Sequence, residues 1–226
     1  MTIVAVIPAH DEASRIQPVL RAALGHLPVI VVDDGSRDGT AVVARAAGAT
    51  VIEQHPNRGK GFALRRGFRE AIARGAEAAV TLDADGQHDP REIPAFLEAW
   101  AMSHPDLVVG RRDFRAMPPV RRLANELGGR LFSWAVGRTI PDNQSGYRLV
   151  SRRLMEASLA SDEHGFEFEV ELITTTIRMG GSIAWVPIRT IYGGESSHIR
   201  PLRHLRQFLR ICLKARRAVR APLAAS

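Results

Sequence analysis

The segment Ala78-Ala-Val-Thr-Leu-Asp-Ala-Asp-Gly-Gln-His-Asp-Pro90 joins a short apolar run directly to a group of acidic residues. Two earlier segments have the same pattern, Ile3-Val-Ala-Val-Ile-Pro-Ala-His-Asp-Glu12 and Val29-Ile-Val-Val-Asp-Asp-Gly-Ser-Arg-Asp-Gly-Thr40. Apolar runs without polar alternation are typical of strands that are covered on both faces. Because ligands of open parallel sheets bind beyond the carboxyl ends of the strands, these acidic residues are expected to face one crevice.

Strand and helix candidates alternate through the first 110 residues. We predict strands at Ile3–Ile7, Val29–Asp33, Thr50–Glu53, Ala78–Leu82 and Leu107–Val109. We predict helices at Ala13–Leu24, Thr40–Ala47, Gly61–Arg74 and Arg91–Ala101. This alternation, with short connections, predicts right-handed crossovers and a mostly parallel central sheet, which is the α/β class.

The second half of the chain is less regular. Its pattern predicts a helix from Pro118–Pro119 through Val136, a strand or turn at Ser145–Val150, a helix at Phe166–Arg178, an extended segment at Ile183–Ile191 and a last helix at Pro201–Val219. No internal repeat or Gly/Ser-rich linker divides the chain. We therefore expect one domain at 1–199, followed by a basic amphipathic helix and tail at 200–226.

Composition restricts the class of protein and its compartment. The chain has 226 residues, one cysteine and a formal net charge of +7. The single Cys212 excludes an internal disulfide framework and a cysteine-rich zinc site, and it favours a reducing compartment. No apolar stretch approaches the roughly 20 residues that span a bilayer, and the N-terminus has no basic region of the signal-peptide type. We expect a cytoplasmic protein that can still lie at the inner face of a membrane.

The positive charge is concentrated near the end of the chain. The segment from Arg200 to Arg220 contains seven arginines and Lys214, with no acidic residue. At helical spacing, one stripe holds Leu202, Leu205, Leu209 and Leu213, and another holds Arg203, Arg206, Arg210, Lys214 and Arg217. This pattern is typical of a helix in an anionic membrane interface. The alternative is a helix packed on the domain with a solvated basic face. A nucleic-acid partner is disfavoured, because no helix-turn-helix or aromatic–basic pattern is present.

Asp83 and Asp85 are the strongest candidates for a metal site. In an extended segment, residues two apart point to the same side, so both carboxylates can address one ion. Oxygen ligands without a Cys or His cluster favour Mg2+ or Mn2+ over zinc. The alternative is a simple turn, since Asp and Gly are common in loops. The acidic ends of the other strands favour the metal.

The loop Asn57-Arg-Gly-Lys-Gly61 precedes a predicted helix. It lacks the spacing of a P-loop. Lys60 and the amides at the start of the helix can still help to hold an anionic or nucleotide ligand.

The motifs quoted above continue with Gly110-Arg-Arg112, Asp142-Asn-Gln-Ser-Gly-Tyr-Arg148 and Phe166-Glu-Phe-Glu-Val-Glu-Leu172. In this order, they resemble the family-2 glycosyltransferases, particularly the branch that transfers sugars to dolichyl or polyprenyl phosphate. The resemblance implies a GT-A fold, a nucleotide-diphosphate-sugar donor linked to UDP or GDP, and inverting transfer at the anomeric carbon.

The resemblance also implies roles for residues on the donor side. Those expected to contact the nucleotide, its phosphates or the sugar are Pro8, His10, Glu12, Asp34, Lys60, Asp83, Ala84, Arg189 and His198. The metal is expected at Asp85 and Gln87, with Asp83 as the third candidate ligand. The segment Arg189-Thr-Ile-Tyr-Gly-Gly-Glu-Ser-Ser-His198 lacks the lysine that the branch carries there, so His198 or Arg200 would have to substitute for it.

The identity of the acceptor determines whether a base is needed. For a lipid phosphate, which is already anionic, the resemblance implies that Arg112 and Arg121 position the acceptor. For a hydroxyl acceptor a carboxylate must take the proton, and Asp142 is then the first candidate, with Glu167 second. Two other functions stay open, nucleotidyl transfer and non-catalytic binding of a nucleotide sugar. The missing Gly-rich, Arg-Lys nucleotidyltransferase loop disfavours the first of these.

Overall fold

The computed structural model describes residues 2–114, 119–165, 167–189 and 201–220, with the helix backbone alone at 119–121, 124 and 201–207. The strands are β1 (Ile3–Ala9), β2 (Val29–Asp34), β3 (Thr50–Gln54), β4 (Ala78–Thr81), β5 (Leu107–Arg112), β6 (Arg148–Ser151) and β7 (Ile183–Ile188). The helices are α1 (Ile16–Leu24), α2 (Thr40–Ala46), α3 (Lys60–Ala73), α4 (Ile93–Ser103), α5 (Pro119–Val136), α6 (Arg152–Ser158), α7 (Glu167–Arg178) and α8 (Pro201–Arg220).

The strands form one sheet in the order β3-β2-β1-β4-β6-β5-β7. Every pairing is parallel except those of β6, which runs antiparallel to both β4 and β5. Thr81, at the end of β4, pairs with Arg148, at the start of β6. The start of β6 therefore lies at the carboxyl edge of its neighbours. The predicted α/β fold with a mostly parallel sheet is confirmed.

Two apolar cores cover the two faces of the sheet. In β1, Val4 and Val6 point into the core that also holds Phe68 of α3, whereas Ala5 and Ile7 point into the core formed with α1 and α4. Both sets are buried, which explains why the strand shows no polar alternation. The result is a three-layer arrangement of helices, sheet and helices.

The five strands predicted in the first half are present, and the structure differs from the prediction mainly after residue 140. The segment predicted as a strand or turn at Ser145–Val150 becomes strand β6 at Arg148–Ser151. Helix α6 was not predicted. It has only seven residues, and its N-cap is Ser151, whose side chain accepts a hydrogen bond from the Leu154 amide at 3.2 Å.

Helix α8 packs on the domain through one face. Cys212 and Ala215 are buried in the core shared with α5 and α7, and Lys214 forms an ion pair with Glu163. The domain boundary expected at residue 200 stays a prediction. Among the residues described, no helix combines the length and apolar character needed to cross a bilayer.

Candidate active site

An open cleft of about 250 Å³ lies at the carboxyl edge of β1, β2 and β4. The predicted site residues that line it are Pro8, His10, Glu12, Asp34, Lys60, Asp83, Ala84 and Asp85. Ala9, Asn57, Gly59 and Ala63 complete the lining. The ends of these strands therefore bring together most of the residues that the sequence predicts to contact the donor.

The loops that follow β1 and β2 are bonded to each other. The Asp11 amide donates to Ser36 Oγ at 2.9 Å, and the Arg37 amide donates back to Asp11 Oδ1 at 2.7 Å. The Glu12 amide donates to Thr40 Oγ1 at 2.8 Å. This edge of the cleft is thus organised before any ligand binds.

Asp34 anchors the loop that leads to Lys60. Its Oδ1 accepts from Gln54 Nε2 and from the Arg58 amide, both at 2.9 Å, and its Oδ2 accepts from the Gly59 amide at 2.7 Å. The carboxylate is buried, with its charge stabilised by three donors. Asp34 therefore fixes the conformation of this loop as well as lining the cleft.

Lys60 lies between two carboxylates. Its Nζ forms an ion pair with Asp83 and lies 2.8 Å from Glu169 Oε1. Burial disfavours the ammonium ion, but the two carboxylates outweigh burial and raise the pKa of Lys60 above its ordinary value. Burial likewise opposes ionisation of Asp83, yet Lys60 and His88 hold the pKa of its carboxyl below the usual range. One ammonium and two carboxylates leave this cluster with a net negative charge.

His88 is bonded to the backbone of Asp83. The Asp83 amide donates to His88 Nδ1 at 3.0 Å, which requires that nitrogen to be unprotonated. Burial is the main reason that the pKa of His88 is lowered. The His88 ring packs on Tyr147, with ring centroids 5.1 Å apart, and the Tyr147 hydroxyl donates to the Asp89 carbonyl at 3.0 Å. The turn after β4 is thus tied to the segment that precedes β6.

Asp85 lies in a turn rather than in an extended segment. Strand β4 ends at Thr81, so the two-residue alternation proposed for Asp83 and Asp85 does not apply. Both side chains nevertheless line the cleft. Asp85 Oδ1 accepts from the Gln87 amide at 2.9 Å, and the Gln87 side chain is half-buried.

Arg112 and Asp142 meet at the carboxyl edge of β5. Asp142 is 1% exposed, and both of its oxygens accept hydrogen bonds from the guanidinium. The Gln144 amide adds a bond to Oδ1 at 3.0 Å. A carboxylate that is buried and held in this way is poorly placed to take a proton from an acceptor, so the geometry weighs against Asp142 as a base. The second candidate, Glu167, lines a separate groove between α7 and α8.

Arg148 is a fully buried arginine that holds the segment before β6. It donates to the Ser145 carbonyl at 2.8 Å and to the Glu169 carbonyl, which lies on α7. Burial lowers the pKa of Arg148. The sequence pattern gives no individual role to Arg148 or to Glu169. The available signal was a charged residue inside an apolar run, which predicts a buried and paired charge.

The remaining predicted residues are Arg189, Arg121 and His198. Arg189 follows β7, is exposed, and its amide donates to Glu92 Oε1 at 2.8 Å. It is not among the residues that line the cleft. Arg121 lies in α5, but its side chain is outside the described part of the chain, and His198 is outside it altogether. The roles expected of these three residues stay predictions.

The chain is similar in sequence to enzymes that act on lipid phosphates. It is 31% identical over 206 residues to an undecaprenyl-phosphate mannosyltransferase of Micrococcus luteus, covering 83% of each chain. It is 29% identical over 215 residues to a UDP-N-acetylglucosamine–dolichyl-phosphate N-acetylglucosaminyltransferase of Methanococcus voltae, covering 83% of this chain and 84% of that one.

Solved structures and a family model agree with this similarity. Glucosyl-3-phosphoglycerate synthase of Mycobacterium tuberculosis, in complex with Mn2+, UDP and glucosyl-3-phosphoglycerate, matches with a TM-score of 0.70 and 27% identity over 95% of this chain and 79% of that chain. The expected GT-A fold is thereby confirmed. The model of the family described as glycosyl transferase family 2 matches residues 4–159. The chain therefore belongs to glycosyl transferase family 2.

Proposed function

We propose that this glycosyltransferase moves a sugar, with inversion and with a divalent cation, from a UDP- or GDP-linked donor to a polyprenyl-phosphate-like acceptor at a membrane surface. The observation that carries the proposal is the placement of two opposite charges at one edge of the sheet. Carboxylates line the cleft beyond β4, and the guanidinium of Arg112 is fixed at the end of β5. The relatives named for undecaprenyl and dolichyl phosphate support the choice of acceptor.

The residues after β4 fit a divalent cation of the Mg2+ or Mn2+ type. Within the described residues, the Gln87 amide is the only hydrogen-bond donor found on the Asp85 carboxylate. No group of three or more Asp, Glu, His or Cys suited to a metal occurs in that part of the chain. Mg2+ commonly uses one or two protein carboxylates, with substrate phosphates and water as its other ligands. Asp85, with Asp83 and Gln87 beside it, would hold an ion that neutralises the departing diphosphate.

A lipid phosphate acceptor needs no general base, which agrees with the burial and double hydrogen bonding of Asp142. Its oxygen is already anionic, so the protein has to place it opposite the leaving diphosphate rather than deprotonate it. An arginine matches the geometry of a phosphate, and Asp142 fixes the plane of the Arg112 guanidinium. One displacement on the face opposite the leaving group inverts the anomeric carbon.

A small phosphorylated acceptor with a hydroxyl nucleophile is the second candidate. The solved structures of glucosyl-3-phosphoglycerate synthase hold phosphoglyceric acid or its glucosyl product. Arg112 could bind the phosphate of such a molecule equally well. A hydroxyl acceptor would then need a base, and the buried, doubly bonded Asp142 does not supply an obvious one.

The test is a transfer assay combined with donor binding. UDP- and GDP-sugars are screened by thermal shift with Mg2+, Mn2+ or EDTA, since a ligand that binds the native state raises the melting temperature. The best donor is then incubated with a polyprenyl phosphate or with phosphoglycerate. We expect a metal-dependent shift, transfer to the polyprenyl phosphate only, and an inverted anomeric configuration by NMR.

Other outcomes identify the alternatives. Transfer to phosphoglycerate alone supports the hydroxyl acceptor, and pyrophosphate release from a nucleoside triphosphate supports nucleotidyl transfer. Donor binding without transfer to any acceptor supports a non-catalytic binder. Asp85→Ala should lower metal-dependent turnover by about a hundredfold or more, whereas Glu70→Ala, a half-buried residue of α3 outside the cleft lining, serves as the matched control. Full activity of Asp85→Ala would rule out the proposed metal role.

A further inference from the structure

Helix α5 has an apolar stripe that faces away from the core. Leu123, Leu127 and Trp134 are 57%, 55% and 60% exposed. Because an α-helix advances about 100° per residue, the three side chains fall within a sector of about 40°. The opposite face of the same helix is buried through Phe132 and Val136. Large side chains at regular helical spacing on the solvent side require an explanation beyond chance.

Helix α8 repeats this arrangement. Leu209 and Leu213 are 41% and 53% exposed, although Cys212 and Ala215 on the other face are buried in the core. One apolar face is sufficient to dock a helix onto a domain. The leucine stripe identified in the sequence is therefore not the face that packs on the domain, at least for its two described members.

The two stripes form one surface. The guanidinium of Arg216 lies 3.8 Å from the centre of the Trp134 ring, and Phe208 packs against Gly128, where an added Cβ would lie 3.4 Å from the Phe208 ring. These contacts place α5 and α8 side by side between residues 128–134 and 208–216, and both stripes lie on the side away from the core. We call Leu123, Leu127, Trp134, Leu209 and Leu213 the α5–α8 apolar surface.

The charges around this surface are positive. The sequence of α8 contains no acidic residue, and exposed arginines on α8 (Arg210, Arg217 and Arg220) accompany Arg216. On α5, Arg130 lies within the apolar stripe, and Glu126 is bonded to Arg122 at 2.7 Å. A second copy of the chain would bring these arginines against their own equivalents, which is unfavourable. An anionic lipid bilayer offers both an apolar interior and negative headgroups.

We propose that the α5–α8 apolar surface docks on an anionic lipid bilayer, with Leu123, Leu127, Trp134, Leu209 and Leu213 inserted and the neighbouring arginines at the headgroups. The proposal deepens the proposed function and rests on it only for the nature of the acceptor. Helix α5 begins at Pro119, shortly after Arg112 at the end of β5. On this proposal, docking through α5 brings the end of β5, where Arg112 lies, towards the bilayer in which a polyprenyl phosphate is anchored.

Vesicle flotation of the full chain tests the docking. Wild-type protein is mixed with phosphatidylcholine vesicles with or without phosphatidylglycerol, at low and high salt. We expect binding to the phosphatidylglycerol vesicles that high salt weakens. The variant Leu127→Asp/Leu213→Asp should bind about tenfold more weakly, because two charges would have to enter the apolar layer. Met102→Asp is the matched control, since Met102 is 81% exposed on α4 and outside the surface, and it should bind like wild type.

Two further measurements protect the test against a folding artefact. The milder variant Leu127→Ser/Leu213→Ser should show an intermediate loss, and thermal unfolding should show all variants folded. Vesicles should also shift the tryptophan emission to shorter wavelength, and Trp134→Phe should remove most of that shift. Wild-type protein that ignores phosphatidylglycerol vesicles, or an Asp double variant that binds them like wild type, would overturn the proposal. A wild-type dimer that the double variant converts to a monomer would instead identify a second copy as the occupant.

The enzymatic proposal fails or survives separately. Transfer to a polyprenyl phosphate in detergent micelles does not require a bilayer, so it is measured on the same preparations. Docking without transfer in micelles overturns the proposed acceptor only. Transfer in micelles without docking overturns the α5–α8 proposal only.

Discussion

Arg112 and Asp142 form a bidentate ion pair, with the guanidinium Nε 2.8 Å from Asp142 Oδ2 and Nη2 2.9 Å from Oδ1. The carboxylate is buried, whereas the arginine side chain is 17% exposed. The buried Asp142 carboxylate therefore fixes the orientation of the Arg112 guanidinium.

Asp142→Asn separates a positioning role from a basic one. If Asp142 orients Arg112, the variant should raise the KM for the acceptor by about tenfold and change kcat less, since one charge-assisted bond is worth roughly 1.5–3 kcal/mol. A general base would instead lower kcat by about 10²–10⁴. The measurement is steady-state kinetics with varied acceptor. Asp106→Asn is the control, because Asp106 contacts Arg153 at the other end of β5, and it should leave both constants unchanged.

Glu169→Gln tests the electrostatics of the Lys60 cluster. The substitution keeps the shape but removes one of the two negative charges beside Lys60. We expect metal-free nucleotide diphosphate to bind about threefold to tenfold more tightly, which corresponds to roughly 1 kcal/mol. Calorimetry in EDTA measures this directly. Glu171→Gln, on the same helix but bonded to Ser161, should have no such effect. Unchanged affinity in Glu169→Gln would mean that the cluster does not sense the diphosphate.

Gly146→Ala should disturb the same cluster by steric contact. A Cβ at this position would lie 2.6 Å from Glu169 Oε1 and 2.9 Å from Lys60 Nζ, so the ion pair would have to move. We expect a loss of about 1–3 kcal/mol in the free energy of unfolding together with weaker donor binding. Gly129→Ala in α5 is the control, since its nearest neighbour would be 3.8 Å away, and helix propensity predicts a small gain in stability. Urea unfolding compares the two, and equal stability would contradict the steric argument.

Cys212 reports on the docking of α8. Burial raises the pKa of this thiol to about 11, and it is the only cysteine in the chain. Iodoacetamide should therefore modify the native protein slowly at pH 8, and rapidly in denaturant. Because the pKa is raised on folding, its contribution to stability is present below about pH 9 and is lost as the pH rises towards 11. Cys212→Ala should lose less stability over that range. Fast native alkylation at pH 8 would show that α8 opens readily.

The sequence predicts the first half of the fold well because local pattern and tertiary burial agree there. Strand β2 is buried along its whole length, and its first four residues, Val29 to Val32, form an uninterrupted apolar run. The antiparallel direction of β6 has no such local signal, because it depends on the path of the chain between α5 and Arg148. Helix α6 is too short for its periodicity to stand out, and only its N-cap, Ser151, marks it.

The residues of the candidate site are likewise predicted only in part from the sequence. Asp34, Asp83 and Asp85 are found from their positions at strand ends, since that argument needs only the order of strands and helices. Glu169 is missed because its partner, Lys60, lies more than 100 residues away and meets it only in the folded chain. The sequence instead points to Glu167, on the same helix. Two residues correspond to about 200° of helical rotation, so Glu167 and Glu169 point to nearly opposite sides.

Strand β6 runs antiparallel to its two neighbours, and this direction affects how such an enzyme can diversify. The loops that follow the parallel strands lie at the carboxyl edge of the sheet. Strand β6 is antiparallel, so the loop at this edge is the one that precedes it, residues 137–147, which carries Asp142. The loops of the donor side follow β1, β2 and β4. If this loop binds the acceptor as proposed, insertions or exchanges at 137–147 can change the acceptor while the loops proposed to hold the donor stay unchanged.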